Sequence, residues 1–387
     1  MASALPFAYL HATTVEAGFV PIAEARISPL DRGFLFGDAV YEVMPVYGGR
    51  VFALDRHLAR LARSLREVGI ADPYSAEHWA ALIEGLVVRN GGGDQLVYLQ
   101  VSRGTDAGRD HRFPKGLAPT VFMSGAPYLP PTAESFAGGG KAFTQEDLRW
   151  GRCDIKTTLL LPNCMARSAA DAAGGVEAVL TRGGRAVEGT TSTLYIAKDG
   201  VLITPPLTNE ILPGVTRELL LELARAAKIR VEERDIPTPE LFAADEVMFS
   251  NTSCELRPIT EVDGKRIGSG APGKVWRALF EAFQRHKAEV WERPVACALP
   301  ATGESAIKYP CSFPIKVMGR RDAALGPTLL EIVARHAGGA AGVSVAERTS
   351  ENGNFVSFTF TIRAESQAQV DAIYRELTAH PLVMMAL

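Results

Sequence analysis

Hydrophobic residues follow two different periods along residues 1–293. At residues 54–69 and 216–228 they recur every three or four positions, which predicts amphipathic α-helices. Elsewhere, short runs rich in β-branched and aromatic residues predict β-strands. The clearest of these runs are residues 94–102, 120–125, 176–181 and 192–197.

Short glycine turns join several of the predicted strands. Residues 181–187 contain a Gly-Gly pair between two short apolar runs, and residues 197–202 contain an Asp-Gly pair. Such pairs are typical of turns between antiparallel strands. Because strands also outnumber helices, the pattern favours an α+β fold over a doubly wound parallel sheet.

The tail, residues 311–387, has a pattern of its own. Its predicted order is strand, helix, strand, strand, helix, strand, which is the ferredoxin-like βαββαβ plan. The two central strands are joined at residues 350–354, where Asn352 and Gly353 form a typical hairpin dipeptide. The tail clusters no nucleophile with a base, so we favour a regulatory or assembly role for it over catalysis.

A change of composition separates the tail from the rest of the chain. The helical pattern at residues 273–293 gives way to Pro, Ala, Gly and Ser without periodicity at residues 294–310. We interpret this stretch as a linker.

Composition and charge narrow the possible functions. A length of 387 residues is enough for two or three domains, and 47% hydrophobic with 22% charged residues is ordinary for a soluble globular protein. A net charge of -3 argues against nucleic acid or a membrane as partner. No apolar run approaches a membrane span and the first residues lack a signal-peptide pattern, so we expect a cytoplasmic protein.

The cysteines predict neither disulfides nor a metal site. They are odd in number, widely spaced and never in a Cys-x-x-Cys pair, so reduced thiols are expected. They are Cys153, Cys164, Cys254, Cys297 and Cys311.

Common catalytic motifs are missing from the sequence. The run from Gly138 to Lys141 lacks the first glycine of a phosphate loop, where Ser135 stands, and Ala142 replaces the Ser or Thr that would bind magnesium. No Gly-x-Gly-x-x-Gly opens a helix after a strand, and neither His-Glu-x-x-His nor Gly-x-Ser-x-Gly occurs. Common nucleotide, zinc-protease and hydrolase functions lose support.

One lysine has an unusual sequence context. Lys156 lies between the acidic residue Asp154 and the apolar run at residues 159–161. Apolar surroundings disfavour a charged ammonium, and a neutral amine can attack a carbonyl or a cofactor aldehyde. The alternative is a lysine at a strand end that extends its charge into water.

If Lys156 binds an aldehyde cofactor, the chain must also supply an acid for a pyridine nitrogen. Glu188 is the candidate, since it ends a short predicted strand and precedes a run of small polar residues at 189–193. A carboxylate beside a pyridinium would keep the ring protonated. The alternative is a glutamate that faces solvent at a hairpin.

A phosphate group would need a binding cup, and the sequence offers one. Gly214 precedes a helix whose first turn contains Val215 and Thr216, so free backbone N–H groups are expected there. A second polar run, residues 250–255, follows a predicted strand, and Arg60 could donate two parallel hydrogen bonds.

These residues resemble the fold-type IV pyridoxal-phosphate enzymes, a family that includes D-amino-acid aminotransferases, branched-chain aminotransferases and aminodeoxychorismate lyase. The resemblance rests on collinear stretches within residues 5–290 and implies a small N-terminal α+β domain at 1–125 and a large domain at 126–293 that carries the lysine. The matching stretches are 31–43, 57–61, 103–114, 148–160, 186–195, 211–218 and 250–259.

The resemblance also implies a role for each site residue. Lys156 would hold pyridoxal 5'-phosphate and carry protons as the catalytic residue, while Glu188 would pair with the pyridine nitrogen. Leu212 would lie against the ring. The phosphate would be bound by Arg60, Val215, Thr216 and Thr252.

Substrate handedness within this family depends on where the substrate carboxylate is held. In the D-amino-acid branch, an Arg-x-His pair from the partner subunit and a tyrosine hold it. Arg109, His111 and Tyr41 stand at these positions. The resemblance therefore implies transamination of D-alanine or D-glutamate with a 2-oxo acid, in a homodimer that completes the active site. A polar surface loop is the alternative for residues 106–111.

Two departures from the D-specific pattern leave other functions open. The leucine run after the lysine contains no asparagine before Asn163, and Cys254 replaces the usual serine. An L-branched-chain aminotransferase or aminodeoxychorismate lyase is one alternative. A non-catalytic regulatory or binding protein that acts through its tail is another.

The tail resembles small bacterial YbeD-like domains, which share their plan with ACT regulatory domains. Residues 309–319 and 381–387 carry this resemblance. It implies a ferredoxin-like fold. The tail could sense a small ligand, mediate assembly, or be a fused domain without a role of its own.

Overall fold

The structure is a computed structural model that describes residues 4–12, 15–292, 310–320, 322, 324–349, 355–380 and 383–386. The chain forms two compact units, residues 1–294 and 295–387. Apart from Pro310, the predicted linker lies outside the described residues, as does the predicted hairpin turn at 350–354.

The first unit begins with a six-stranded antiparallel sheet of order β2-β1-β6-β5-β3-β4. Helices α2 and α3 bury their apolar residues against one face of the sheet, and Leu61, Trp79 and Val97 share this core. Gly69 ends α2 in a left-handed conformation. The elements are β1 (Phe7–Ala12), β2 (Val15–Pro21), α1 (Arg32–Phe36), β3 (Ala39–Tyr47), β4 (Arg50–Val51), α2 (Leu54–Val68), α3 (Ala76–Arg89), β5 (Gln95–Ser102) and β6 (Thr120–Pro127).

The rest of the first unit contains two further sheets, of orders β12-β11-β10-β14-β15 and β13-β9-β8-β7-β16-β17. Their facing apolar side chains form one core, while α5 and α7 pack against the five-stranded sheet. The strands are β7 (Lys141–Glu146), β8 (Glu177–Arg182), β9 (Arg185–Gly189), β10 (Thr193–Lys198), β11 (Val201–Thr204), β12 (Val231–Glu233), β13 (Ile236–Pro237), β14 (Glu246–Asn251), β15 (Glu255–Ile259), β16 (Glu261–Val262) and β17 (Lys265–Arg266). The helices are α4 (Leu161–Ala172), α5 (Val215–Ala226), α6 (Thr238–Ala243) and α7 (Lys274–Glu292).

The predicted α+β class is confirmed. Both predicted hairpins form, β8 with β9 and β10 with β11, and both are antiparallel. The pairs β7–β8, β7–β16 and β11–β12 are parallel, so the two later sheets are mixed. The boundary at residues 125 and 126 stays a prediction; it falls within β6, which continues to Pro127.

The second unit has the predicted βαββαβ order. Its antiparallel sheet has the order β19-β20-β18-β21, which is the ferredoxin-like arrangement. One apolar core joins sheet and helices, with Val317 and Phe360 against Leu329 and Ile373. The elements are β18 (Cys311–Arg320), α8 (Leu325–His336), β19 (Val343–Thr349), β20 (Phe355–Ala364), α9 (Gln367–Ala379) and β21 (Val383–Ala386).

None of the helices described has the length and apolar character needed to cross a bilayer. Within the same part of the chain, no group of three or more His, Cys, Asp or Glu side chains could hold a metal ion.

Candidate active site

A cavity of about 330 Å³ lies in the first unit, where β3, the loop before α4, two polar turns and the N-terminus of α5 meet. Several segments distant in sequence contribute to its wall. All residues predicted to bind the cofactor line it, as does the predicted tyrosine. These residues are Tyr41, Lys156, Arg60, Glu188, Leu212, Val215, Thr216 and Thr252.

Lys156 is held in the cavity by its backbone. Its carbonyl accepts a hydrogen bond of 3.0 Å from the backbone N–H of Tyr41, and the next residue, Thr157, forms a β-bridge with Val40. The Lys156 Nζ lies 4.0 Å from the centroid of the Tyr41 ring. The loop that carries the lysine is thereby fixed to β3, and the amine lies inside the cavity rather than at a solvent-facing strand end.

Glu188 lines the cavity and is buried near the end of β9. Its Oε1 accepts a short hydrogen bond from Arg149 Nη1, and its Oε2 accepts one of 3.1 Å from the backbone N–H of Leu212. Burial raises the pKa of Glu188, although the charge of Arg149 opposes this shift. The predicted alternative of a glutamate facing solvent is wrong.

Arg149 was missed by sequence reasoning. Its Nε and Nη2 donate to the two oxygens of Asp147 at 2.8 Å each, so one guanidinium serves two carboxylates. The available signal was its place in the stretch 148–160, two positions after an acidic residue.

Arg60 also lines the cavity, but most of its donors are engaged. Its Nε and Nη2 each donate to Glu42 at 2.8 Å, and its Nη1 donates to the Pro213 carbonyl at 3.0 Å. His57 Nδ1 lies 2.8 Å from the same carboxylate. The predicted bidentate contact is therefore made to Glu42 in this structure.

Glu42 is a buried anion that sequence reasoning missed. Burial by itself would raise the pKa of Glu42. Arg60 and His57 outweigh this effect and lower the pKa to about 2, so the carboxylate is ionised at neutral pH. Burial lowers the pKa of His57. The only sequence signal for Glu42 is a charged residue inside the apolar strand β3.

The N-terminus of α5 forms another part of the wall. The N-cap, Gly214, makes no side-chain capping bond, so the first N–H groups of the helix remain available. A Cβ at Gly214 would lie 2.9 Å from Thr193 Oγ1, closer than an ordinary contact. Glycine therefore lets the helix start approach the polar turn between β9 and β10.

The two predicted runs of small polar residues form turns along the cavity, at residues 189–193 and 250–253. Buried Glu177 holds the first turn by accepting hydrogen bonds from the Thr190 backbone N–H at 3.1 Å and from Ser192 Oγ at 2.6 Å. The Asn251 amide connects the turns by donating to the Thr191 carbonyl at 3.3 Å. Sequence reasoning found both runs but missed Glu177.

The two departures from the D-specific pattern lie in different places. Asn163 lines the cavity and donates to the Thr190 carbonyl at 2.6 Å, so it supports the first polar turn. Cys254 lies beyond the cavity-lining part of the second turn, with its Sγ 3.9 Å from the Phe249 carbonyl oxygen.

Arg109 and His111 are not brought to the cavity of their own chain. Both are exposed and lie against Phe36, whose ring centroid is 5.0 Å from Arg109 Cζ and 5.3 Å from the His111 ring centroid. Within one chain, the structure thus places Tyr41 at the lysine and the other two predicted carboxylate ligands elsewhere.

Most of the first unit is similar in sequence to known proteins. The family model described as amino-transferase class IV matches residues 39–262. The chain is 41% identical to a D-alanine aminotransferase of Bacillus licheniformis over 262 residues, which are 68% of this chain and 92% of the relative. It is 36% identical to a D-alanine aminotransferase of Staphylococcus epidermidis over 272 residues, 70% and 96% of the two chains.

Solved structures share the fold. The branched-chain amino acid aminotransferase of Thermobaculum terrenum, solved in its PLP-form, matches with a TM-score of 0.63 at 24% identity, over 73% of this chain and 94% of that one. A branched-chain aminotransferase of Thermoproteus uzoniensis with norvaline matches with a TM-score of 0.64 at 28% identity, over 73% and 94%.

The tail matches a different family. A family model described as a protein of unknown function, DUF493, covers residues 304–387. This match confirms the predicted resemblance to YbeD-like domains.

Proposed function

Because the chain belongs to the class IV aminotransferases, which use pyridoxal 5'-phosphate, we propose that it transfers the amino group of D-amino acids to 2-oxo acids. One observation carries the proposal: the cavity that joins Lys156, Glu188 and the N-terminus of α5 belongs to a chain that matches D-alanine aminotransferases over nearly their whole length. D-alanine and D-glutamate are the proposed donors.

The cavity residues fit the cofactor. Its volume is in the usual range for small-molecule sites. An amine, a buried carboxyl group and an uncapped helix N-terminus suit an aldehyde, a pyridine nitrogen and a phosphate respectively. Arg60, Val215, Thr216 and Thr252 would bind the phosphate, and Leu212 would contact the ring.

When bound, pyridoxal phosphate stabilises the negative charge that develops at the substrate Cα. Lys156 would hold the cofactor covalently in the resting enzyme and would be released when the amino group of the donor takes its place. Its freed Nζ would move the proton from the donor Cα to the cofactor carbon, as general base and then as general acid, and would move a proton in the opposite direction when the 2-oxo acid is aminated. The nearby Tyr41 ring restricts where that amine can lie.

In this proposal, the Glu188 carboxylate would accept a hydrogen bond from the protonated pyridine nitrogen and so keep that nitrogen protonated. Arg149 and the Leu212 N–H fix the two carboxyl oxygens and so orient the group toward the ring. Arg149 is therefore a positioning residue.

The substrate carboxylate is proposed to bind Tyr41 together with Arg109 and His111 of a partner subunit. Two features support a homodimer of this kind: the pair is exposed and absent from the cavity of its own chain, and large apolar side chains are exposed in α1, in the loop of the pair and around the start of α4. These side chains are Phe34, Phe113, Leu159, Leu161 and Met165. Sedimentation equilibrium of the full chain tests the dimer, and a monomer that is fully active would contradict it.

The first experiment is a visible absorption titration of the purified protein, without an amino acceptor. We expect the band of the bound cofactor to be lost with D-alanine and to persist with L-alanine or L-leucine. A response to L-amino acids alone would favour the branched-chain alternative. A band that no amino acid changes would favour the lyase, and no band after reconstitution with cofactor would favour a binding protein.

A pair of variants tests the carboxylate ligands. Arg109→Ala and His111→Ala should raise KM for D-alanine more than they lower kcat, because each removes a hydrogen bond to the substrate carboxylate. Arg112→Ala is the matched control, because its guanidinium is exposed and pairs with Asp110 in the same loop. An equal effect in all three variants would contradict the proposal.

We propose a regulatory or assembly role for the tail and a cytoplasmic location for the protein. The free thiols at the described cysteines support this location. Deleting residues 295–387, the whole second unit, tests the tail. Unchanged kinetics, oligomeric state and ligand response would remove this role.

A further inference from the structure

Glu255 combines an unusual backbone with a fully buried carboxylate. It begins β15 directly after the second polar turn, and its φ of 53° lies in the left-handed region that residues other than glycine rarely adopt. The residue is 1% exposed. Since neither property is favourable by itself, the surroundings of the side chain must hold it there.

Three side chains donate to this carboxylate. Oε1 accepts from the Tyr47 hydroxyl at 2.9 Å and from Lys287 Nζ at 2.8 Å, while Oε2 accepts from Gln284 Nε2 at 2.5 Å. Burial raises the pKa of Tyr47, and the neighbouring Glu255 raises it further, so the hydroxyl keeps its proton and donates. The carboxylate therefore connects the turn to β3 and to α7.

The turn that Glu255 ends forms the phosphate side of the cavity in the proposed function. Thr252 donates to the Val43 carbonyl at 3.3 Å, and Asn251 accepts from the backbone N–H groups of Ser253 at 2.9 Å and Cys254 at 2.7 Å. The turn is thus fixed to β3 at Thr252 and to α7 through Glu255.

We propose that Glu255 is a positioning residue for the phosphate group of the cofactor. By holding the turn between β3 and α7, it sets the position of Thr252 and hence the affinity for phosphate, without contacting the ligand. This inference rests on the proposed function, in which Thr252 binds the phosphate.

Two ligands distinguish an effect on phosphate binding from an effect on the stability of the whole protein. They are pyridoxal phosphate and pyridoxal, which lacks the phosphate. The full-length chain, freed of cofactor, is titrated with each ligand. The affinity for pyridoxal phosphate divided by the affinity for pyridoxal gives a ratio, which is compared between wild type and variants. Residues that orient ligand-binding groups in metal sites commonly contribute roughly 10- to 100-fold to affinity. We expect Glu255→Gln and Lys287→Met to lower the ratio about tenfold through weaker binding of pyridoxal phosphate.

Glu246→Gln is the matched control. Glu246 accepts hydrogen bonds from the backbone N–H groups of Val275 and Trp276 and so holds the other end of α7. Its ratio should stay within about twofold of wild type, whatever happens to stability.

The possible outcomes separate the inference from the proposed function. If the wild-type ratio is high and stays unchanged in Glu255→Gln and Lys287→Met, the inference about Glu255 is overturned and the proposed function stands. The same holds if the ratio falls equally in Glu246→Gln. If Glu255→Gln fails to fold, Lys287→Met gives the answer. A wild-type ratio near one would overturn the proposed phosphate cup together with this inference.

Discussion

Two arginines that line the cavity, Arg60 and Arg149, hold buried carboxyl groups in opposite ways. Beside Arg60, the pKa of Glu42 is lowered to about 2. Beside Arg149, burial raises the pKa of Glu188. Both residues are buried and both contact an arginine, so neither burial nor the presence of a cation explains the difference.

The opposite pKa shifts of Glu42 and Glu188 follow from the number of carboxylates that each arginine serves. Arg60 gives two hydrogen bonds to Glu42 alone, and His57 adds a third. Arg149 gives one to Glu188 and two to Asp147. A shared cation compensates less of the cost of burying a charge. Glu42 is therefore held as a fully compensated charge, whereas the charge of Glu188 is compensated only in part.

Glu188→Gln should have the largest effect on activity. An amide at this position cannot stabilise a protonated pyridine, so we expect kcat to fall roughly 10²- to 10³-fold at saturating cofactor. Steady-state kinetics with D-alanine measures it. Glu210→Gln is the control, since that carboxylate pairs with Arg185 outside the cavity lining. A kcat within about fivefold of wild type would refute the role of Glu188.

Glu42→Gln should have the largest effect on stability. It leaves the buried Arg60 without a charged partner, and breaking a buried ion pair costs about 3 kcal/mol of unfolding free energy. Urea unfolding of the cofactor-free protein measures this loss. The contrast between Glu42 and Glu188 fails if Glu188→Gln destabilises the protein as much as Glu42→Gln does.

The pH dependence should have opposite signs for the two carboxyl groups. Glu42 has a folded pKa below its ordinary 4.5, so its contribution is present above pH 4.5 and is lost as pH falls toward 2, at up to about 1.4 kcal/mol per pH unit. Glu188 has a raised folded pKa, so its contribution is present below pH 4.5 and is lost as pH rises.

Unfolding curves at several pH values test this for wild type and both glutamine variants. The advantage of wild type over Glu42→Gln should shrink below pH 4.5. The stability of wild type relative to Glu188→Gln should fall as pH rises above that value. Parallel pH curves for all three proteins would rule out the assignment.

Arg56→Gln should have the smallest effect. Arg56 lies on α2, as Arg60 does, and pairs with Glu218 and Glu222 on α5. Both glutamates are exposed, so we expect a change in unfolding free energy below about 1 kcal/mol. Urea unfolding measures it, and a loss as large as that of Glu42→Gln would show that burial is not what separates the two pairs.

Short-range sequence patterns predicted most of the fold and part of the candidate site. Helices, hairpins and the βαββαβ tail follow from periods and turn residues within a few positions of each other. Lys156, Glu188 and the start of α5 could be predicted for the same reason, since each lies in a short segment with a chemical character of its own.

The charged partners could not be predicted, because folding brings them together from distant positions. Arg149 and Glu188 are 39 residues apart, and Tyr47 and Glu255 are 208 apart. Nothing near Glu42 or Glu177 in the sequence indicates which donors they meet. Arg109 and His111 pose a different problem, since their proposed site lies on another copy of the chain.

At Glu255, backbone and side chain favour different residues. Glycine adopts the left-handed conformation freely, so a redesign of this turn for higher stability would select Glu255→Gly. That change would relax the backbone but leave the buried Tyr47 hydroxyl and the half-buried Gln284 and Lys287 without their acceptor. Thermostability engineering of this enzyme should therefore retain Glu255, however unfavourable its backbone angle.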